Sequence, residues 1–235
     1  QSFDDAALAL LGRSHTARDA RSALARLQSA GTLHVGLDLI YGLPGQTLDA
    51  WRDQLKTALS FDPAHISCYE LTMEKGTPFD KQRAAGKICP VGEEEGRACF
   101  LAASEILGGT GYVHYEVSNY ARTEACCSRH NGKYWAHTPY LGLGPSAHSF
   151  DGKERWWNIR SIRRYRDALE KGRLPMEGRE TLTREQMRIE ALALGFRTRN
   201  GVALEHLGAP PFSSPALEGM KADGLVMVCG NRVAP

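Results

Sequence analysis

A strand–helix–strand unit near the start of the chain limits its fold more than any other feature. His34 to Tyr41 alternates, with Val35, Leu37, Leu39 and Tyr41 on one face and Gly36, Asp38 and Ile40 on the other. Gly42-Leu43-Pro44-Gly45 turns the chain. Thr47 then suits the cap of a helix whose apolar positions are Leu48, Trp51, Leu55 and Leu59, and Pro63 follows its end. A second strand is predicted over His65 to Leu71. Two strands joined by a helix of about a dozen residues form a parallel βαβ unit. The expected class is therefore α/β, either a doubly wound sheet or part of a barrel, and periodicity does not choose between them.

The flanking pattern continues this theme. Ser2 with Asp5 suits the start of a helix carrying Phe3, Ala7, Leu8 and Leu11. Thr16 is placed to cap a second helix with Ala20, Leu24 and Leu27 on one face and Gly31 past its end. A helix from about Glu93 to Leu107 leads through Gly108-Gly109 to a third strand near Tyr112 to Val117. After Ala121 the texture becomes loop-rich up to residue 150. Helices are predicted over about Ile159 to Lys171 and from Thr183, in a capping box with Gln186, to about Phe196. Pro210-Pro211 separates these from a short helix near Ala216 to Ala222. A hairpin follows, Leu225 to Val228 and Arg232-Val233 about Gly230-Asn231, and helix plus hairpin resembles a winged-helix unit. No internal repeat or low-complexity tract interrupts the pattern.

The 235 residues are enough for one large or two small domains. A net charge of +2 gives no general attraction to nucleic acid or anionic membranes, although Lys153 to Arg199 holds thirteen basic and seven acidic residues, read as solvated helix faces. Lys221 is the only Lys or Arg between Glu205 and Asn231, so the end unit lacks the cations that phosphate binding needs, and no nucleic-acid partner is expected. No apolar run approaches the roughly 20 residues of a membrane span. Six cysteines without regular spacing do not make a disulfide framework and suit a reducing cytoplasm. The chain opens at Gln1 and closes at Pro235 inside readable patterns, so an internal fragment is expected.

Several polar residues stand out against this framework. Asp38 interrupts an apolar strand, and a carboxylate there needs partners. A neighbouring loop backbone is one; ligand hydroxyls, such as a ribose diol at the end of a strand, are another. Arg13 is by itself a solvated helix-end cation. His130 and Tyr134, four residues apart, form a pattern that alone usually means polar surface. Trp135, Trp156 and Trp157 suit core or surface packing, or the face of a flat ligand.

Val35 to Thr47, VGLDLIYGLPGQT, resembles the strand and turn of the coproporphyrinogen-dehydrogenase-like radical SAM proteins, the HemN/HemW family. Gln1 to Asp5 with Leu11-Gly12-Arg13, and His65 to Leu71 with Gly76-Thr77-Pro78-Phe79, resemble the segments before and after it. Order and spacing agree over essentially the whole chain. The resemblance implies the second half of an open radical SAM barrel over 1–121, a heme-motif loop and helical region over 122–180, and a truncated HemN/HemW-type C-terminal domain over 181–235. It also implies contact of S-adenosylmethionine (SAM) with Gln1, Arg13 and Asp38, and a weaker carry-over for Thr72. His130-Asn131-Gly132-Lys133-Tyr134 matches the family's His-Asn-x-x-Tyr heme motif. There His130 is the expected iron ligand, Tyr134 either lies beside the macrocycle or gives a second, oxygen ligand, and Asn131 shapes the turn.

The implied function is a cytoplasmic heme chaperone that binds heme and SAM and passes heme to an acceptor protein, with transient contact to membrane proteins. The alternative within the family is oxygen-independent coproporphyrinogen III oxidation, the radical decarboxylation of propionates. A barrel fragment without cofactor is the reading outside it. The family's Cys-x-x-x-Cys-x-x-Cys motif, three of whose irons are held by Cys while SAM chelates the fourth, precedes the segment matching Gln1 and is not in this chain. Cys126-Cys127 are adjacent, and Cys89 and Cys99 are too far apart to imitate it. The [4Fe-4S] cluster is thus expected only in a longer parent, and this chain is not expected to cleave SAM. No Cys-x-x-Cys-His heme attachment is present.

Overall fold

The computed structural model describes residues 1–31, 34–208 and 215–235. The chain forms two compact units, Gln1–Cys127 and Ser128–Pro235, and its fold is mixed α/β. The first unit contains α1 (Asp5–Leu10), α2 (Ala17–Ser29), β1 (Gly36–Tyr41), α3 (Leu48–Leu59), β2 (His65–Glu70), α4 (Pro78–Ala84), α5 (Glu93–Gly109), β3 (Val113–Glu116) and β4 (Asn119–Ala121). The second contains α6 (Arg129–Trp135), β5 (His148–Phe150), β6 (Glu154–Asn158), α7 (Ile162–Glu170), β7 (Met176–Thr181), α8 (Arg184–Gly195), β8 (Val202–Ala203), α9 (Pro215–Ala222), β9 (Met227–Cys229) and β10 (Arg232–Ala234).

The βαβ unit forms as its periodicity requires. β1 and β2 run parallel, with Leu37, Leu39 and Tyr41 opposite Ile66, Cys68 and Glu70, so Asp38 lies opposite Ser67 on the other face. Thr47 caps α3 by accepting from the Ala50 N–H at 3.2 Å. Thr16 caps α2 in a reciprocal box with Asp19. The expected cap at Ser2 is corrected: Asp4 caps α1, accepting from the Ala7 N–H at 2.7 Å, because Ser2 is engaged with Gln54 of α3 at 3.2 Å.

The third expected strand is a hairpin. β3 and β4 join through Val117-Ser118, and β4 enters the sheet antiparallel between β2 and β3, giving the order β1-β2-β4-β3. The core of this unit lies on one side of the sheet. Leu39, Tyr41, Ile66, Cys68 and Tyr120 meet Trp51, Leu55 and Ala58 of α3 and Cys99, Ala102, Ala103 and Leu107 of α5. Trp51 is fully buried, and its indole N–H donates to the Cys99 carbonyl at 2.9 Å.

The stretch read as loop up to residue 150 carries a 3-10 turn (Glu124–Cys126), α6 and β5. Ser128 caps α6 by accepting from the Asn131 N–H at 3.2 Å, and β5 opens an antiparallel sheet of order β5-β6-β7. Thr183 and Gln186 form the expected capping box on α8. β8 joins the β9–β10 hairpin in a third sheet, and its buried Val202 and Val233, with Val226 just before β9, pack against Leu192 and Phe196 of α8. Pro210 and Pro211 lie outside the described residues.

Trp51→Ala removes the largest side chain of the first core and the indole hydrogen bond to the Cys99 carbonyl. It should lower unfolding stability by about 3–5 kcal/mol, read from the urea midpoint. A loss under about 1 kcal/mol would show that the sheet and helices do not close on this residue.

Candidate functional site

Three of the four residues expected at SAM converge at one corner of the first unit. The Gln1 carbonyl accepts from the Ile40 N–H of β1 at 2.9 Å, which seats the start of the chain along the strand edge. The Phe3 N–H donates to the Gln54 carboxamide oxygen at 2.6 Å and fixes the same segment to α3. Arg13 arrives there through the end of α1. Gly12, with φ +66°, adopts the left-handed backbone that lets the Arg13 N–H reach the Leu8 carbonyl at 2.9 Å. The charges of Arg13 and of Asp38 both act on the start of the chain at Gln1. Gln1 therefore lies within electrostatic reach of both Arg13 and Asp38. Thr72 sits in the segment after β2 and is exposed.

Sequence reading overlooked the polar residues next to Asp38 on the same sheet face. His65 bonds to the Tyr115 hydroxyl at 2.7 Å, and Ser67 and Asn119 are opposite one another in the register and buried. Burial lowers the His65 pKa, and Asp38 partly offsets this. The available signal was alternation: Gly36, Asp38, His65 and Ser67 all fall out of phase with the apolar positions.

The second expected constellation lies in the other unit. The four-residue spacing puts His130 and Tyr134 on one side of α6 with their rings edge to face at 5.0 Å. His130 is exposed and Tyr134 half-buried. Asn131 supplies the cap donor at the helix start, so its backbone shapes this turn. Tyr134 continues an aromatic series, with Tyr140 at 4.8 Å and Tyr140 to Phe150 at 6.5 Å. A cavity of about 270 Å³ adjoins it, lined by Tyr134, His137, Tyr140, Phe150, Arg155 and Glu190 among others. His137, which sequence reading also passed over, stacks on Phe150 at 4.5 Å and reaches Glu190 at 3.2 Å, and Glu190 bonds Arg155 at 2.8 Å. His137 holds φ +50°, a strained conformation for a non-glycine residue, and this contact set maintains it.

The cysteines are dispersed. Cys68 and Cys99 are buried, Cys89 and Cys229 exposed, and Cys126 and Cys127 intermediate, all as free thiols. Among the described residues no three His, Cys, Asp or Glu side chains gather as a metal site. No helix among them is long and apolar enough to cross a membrane.

The fold resembles that of a solved radical SAM enzyme. It matches coproporphyrinogen III oxidase HemN from Escherichia coli with a TM-score of 0.76 at 19% identity, over 100% of this chain and 58% of that one. The sequence is 38% identical to the heme chaperone HemW of Synechocystis over 210 residues, 88% of this chain and 50% of that protein. HemW of Mycobacterium tuberculosis is 33% identical over 233 residues, 99% of this chain and 59% of that protein. The mitochondrial radical S-adenosyl methionine domain-containing protein 1 of mouse is 35% identical over 217 residues, 88% of this chain and 48% of that protein. No family model matches the chain. The chain is HemW-like, a relative of the radical SAM proteins. It spans about half the length of the curated relatives it matches.

Two half-buried histidines of the first unit set a pH dependence. Burial holds His65 and His114 below their ordinary pKa of 6.5, against the pull of Asp38 on His65 and of backbone hydrogen bonds on His114. Below about pH 6.5 the unfolded chain therefore binds more protons than the folded one, so stability is complete above that value and falls as pH drops until the folded histidines protonate too. Thermal midpoints between pH 7.5 and 5.0 should decline less steeply in a His65→Asn/His114→Asn variant than in the wild type. Parallel slopes would contradict this assignment.

Proposed function

We propose that this chain supplies the heme-binding region and part of the SAM crevice of a HemW-type heme chaperone. The observation that carries the reading is the His130–Tyr134 pair in the His-Asn-x-x-Tyr motif, ring against ring on one side of α6. An imidazole is the commonest proximal ligand of heme iron, and His130 is exposed enough to meet a flat macrocycle. Tyr134 offers its half-buried ring beside that macrocycle, and Asn131 fixes the turn. His130 is thus the proposed iron ligand, and heme is the cargo.

In the first unit, Asp38 is suited to accept from the ribose hydroxyls of SAM, Arg13 to pair with its carboxylate through a planar fork, and Gln1 to donate and accept beside them. Thr72 remains a weaker candidate contact. On this reading β1, β2 and β3 belong to the second half of an open radical SAM barrel over 1–121, with the Asp38 face turned inward. Residues 122–180 carry the heme motif. Residues 181–235 are part of a C-terminal domain with a winged-helix-like helix and hairpin. The dispersed thiols do not fit a [4Fe-4S] cluster, and on this reading the cluster is held by residues of a longer parent. Hand-over to an acceptor protein in the cytoplasm, with transient contact to membrane proteins, completes the proposal. The radical decarboxylation of coproporphyrinogen is the competing activity, and the histidine–tyrosine motif favours heme handling over it.

Titration with hemin should give a shifted Soret band, and His130→Ala should abolish that shift or weaken binding by at least about tenfold. Undiminished affinity in His130→Ala, together with decarboxylation of coproporphyrinogen by the full-length protein, would overturn the chaperone reading.

A further inference from the structure

One face of the β5–β6–β7 sheet carries two sites in a row. The antiparallel register sets Phe150 against Arg155 and Glu180 at one end, and His148 against Trp157 and Gly178 at the other. The first end borders the cavity that Tyr134 also lines. Beyond the second end lies an open trough of about 820 Å³, lined by His148, Trp157, Arg160, Ser161, Arg164 and Glu177 among others. Its volume falls within the roughly 300–1,000 Å³ of small-molecule sites.

The trough combines a flat aromatic floor with two cations. Trp157 stacks with His148 at 5.8 Å and 28°. Its indole crosses β7 at Gly178, where a Cβ would lie 2.5 Å from the ring, so the absence of a side chain there lets the indole lie across the strand. Arg164 is exposed, and its ion partner is Glu177 at 3.4 Å, a contact that solvent screens. Among the described residues the Arg160 guanidinium has no ion pair, and it too is exposed. Guanidinium forks match carboxylates in geometry and charge, and an indole face suits a flat conjugated ring. The two ends are separated by two residues along each strand, about 7 Å, a short step for a ligand as broad as a macrocycle with its side chains.

We propose that this trough takes the propionate edge of a tetrapyrrole, with Arg160 and Arg164 pairing to its carboxylates and Trp157 against its ring. The choice of ligand rests on the heme reading above, but the contact does not involve iron, so the two are separable. Metal-free mesoporphyrin IX, which keeps both propionates, is the probe, and tryptophan quenching is the readout, with Trp157→Phe assigning the signal. The Arg160→Ala/Arg164→Ala pair should weaken binding at least about tenfold. The Arg163→Ala/Arg166→Ala pair removes the same charge from α7 outside the trough and should change affinity less than about twofold. All four arginines are exposed, so circular dichroism should show both pairs folded. Equal weakening by both arginine pairs, no weakening by the trough pair, or no binding by the wild type would overturn the proposal. Trough-dependent mesoporphyrin binding without any hemin Soret shift would retain the trough and remove the iron ligand.

Discussion

The pairing of β1 with β2 is the contact on which the first unit depends. Side chains alternate along a strand, so a register or phase change of one residue would move every side chain to the opposite face. The observed phase sends Leu39 and Cys68 into the core with Trp51 and leaves Asp38 and Ser67 on the other side. The same constraint that closes the hydrophobic core therefore exposes a carboxylate at a fixed place. The helices above the core hold that phase: burying Leu39, Trp51, Leu55 and Leu107 favours one register strongly, since full burial of each large apolar side chain contributes about 1.5–3 kcal/mol.

Local contacts then bring charge to that place. The tether of Ser2 and Phe3 to Gln54 seats Gln1 along β1, and the left-handed Gly12 turns Arg13 back toward the same corner. Neither depends on the second unit. In that unit the analogous constraint is aromatic. Tyr134, Tyr140, Phe150 and His137 pack in series, so the helix bearing His130 is held against the β5–β6 hairpin by rings with few rotamers to lose.

Local signals were the legible ones. The caps at Thr16, Thr47 and Thr183 and the β1–α3–β2 unit follow from spacings of three to eight residues, and each formed where the pattern put it. Non-local pairings were not legible. Val117-Ser118 lacks the Asn-Gly or Asp-Gly of a two-residue hairpin, so nothing in the sequence marked β4 as a separate strand. β5 has three residues, too few for alternation to register, and β7 joins the far side of β6 across α7. His65 and Tyr115 are fifty positions apart, and His137 meets Glu190 across the second unit. A lone histidine carries no mark of such a partner. The family motif, not periodicity, singled out His130 and Arg13, whose residue types alone fit ordinary surface.

The central claim is that adjacent residues of β1 serve different ends, Leu39 the core and Asp38 a ligand. Urea unfolding of Leu39→Ala and Asp38→Ala in parallel tests it most directly. The account predicts that Leu39→Ala loses about 2–5 kcal/mol, whereas Asp38→Ala stays within about 0.5 kcal/mol of the wild type. An Asp38→Ala variant as destabilised as Leu39→Ala would mean that the carboxylate supports the fold, and would contradict the account.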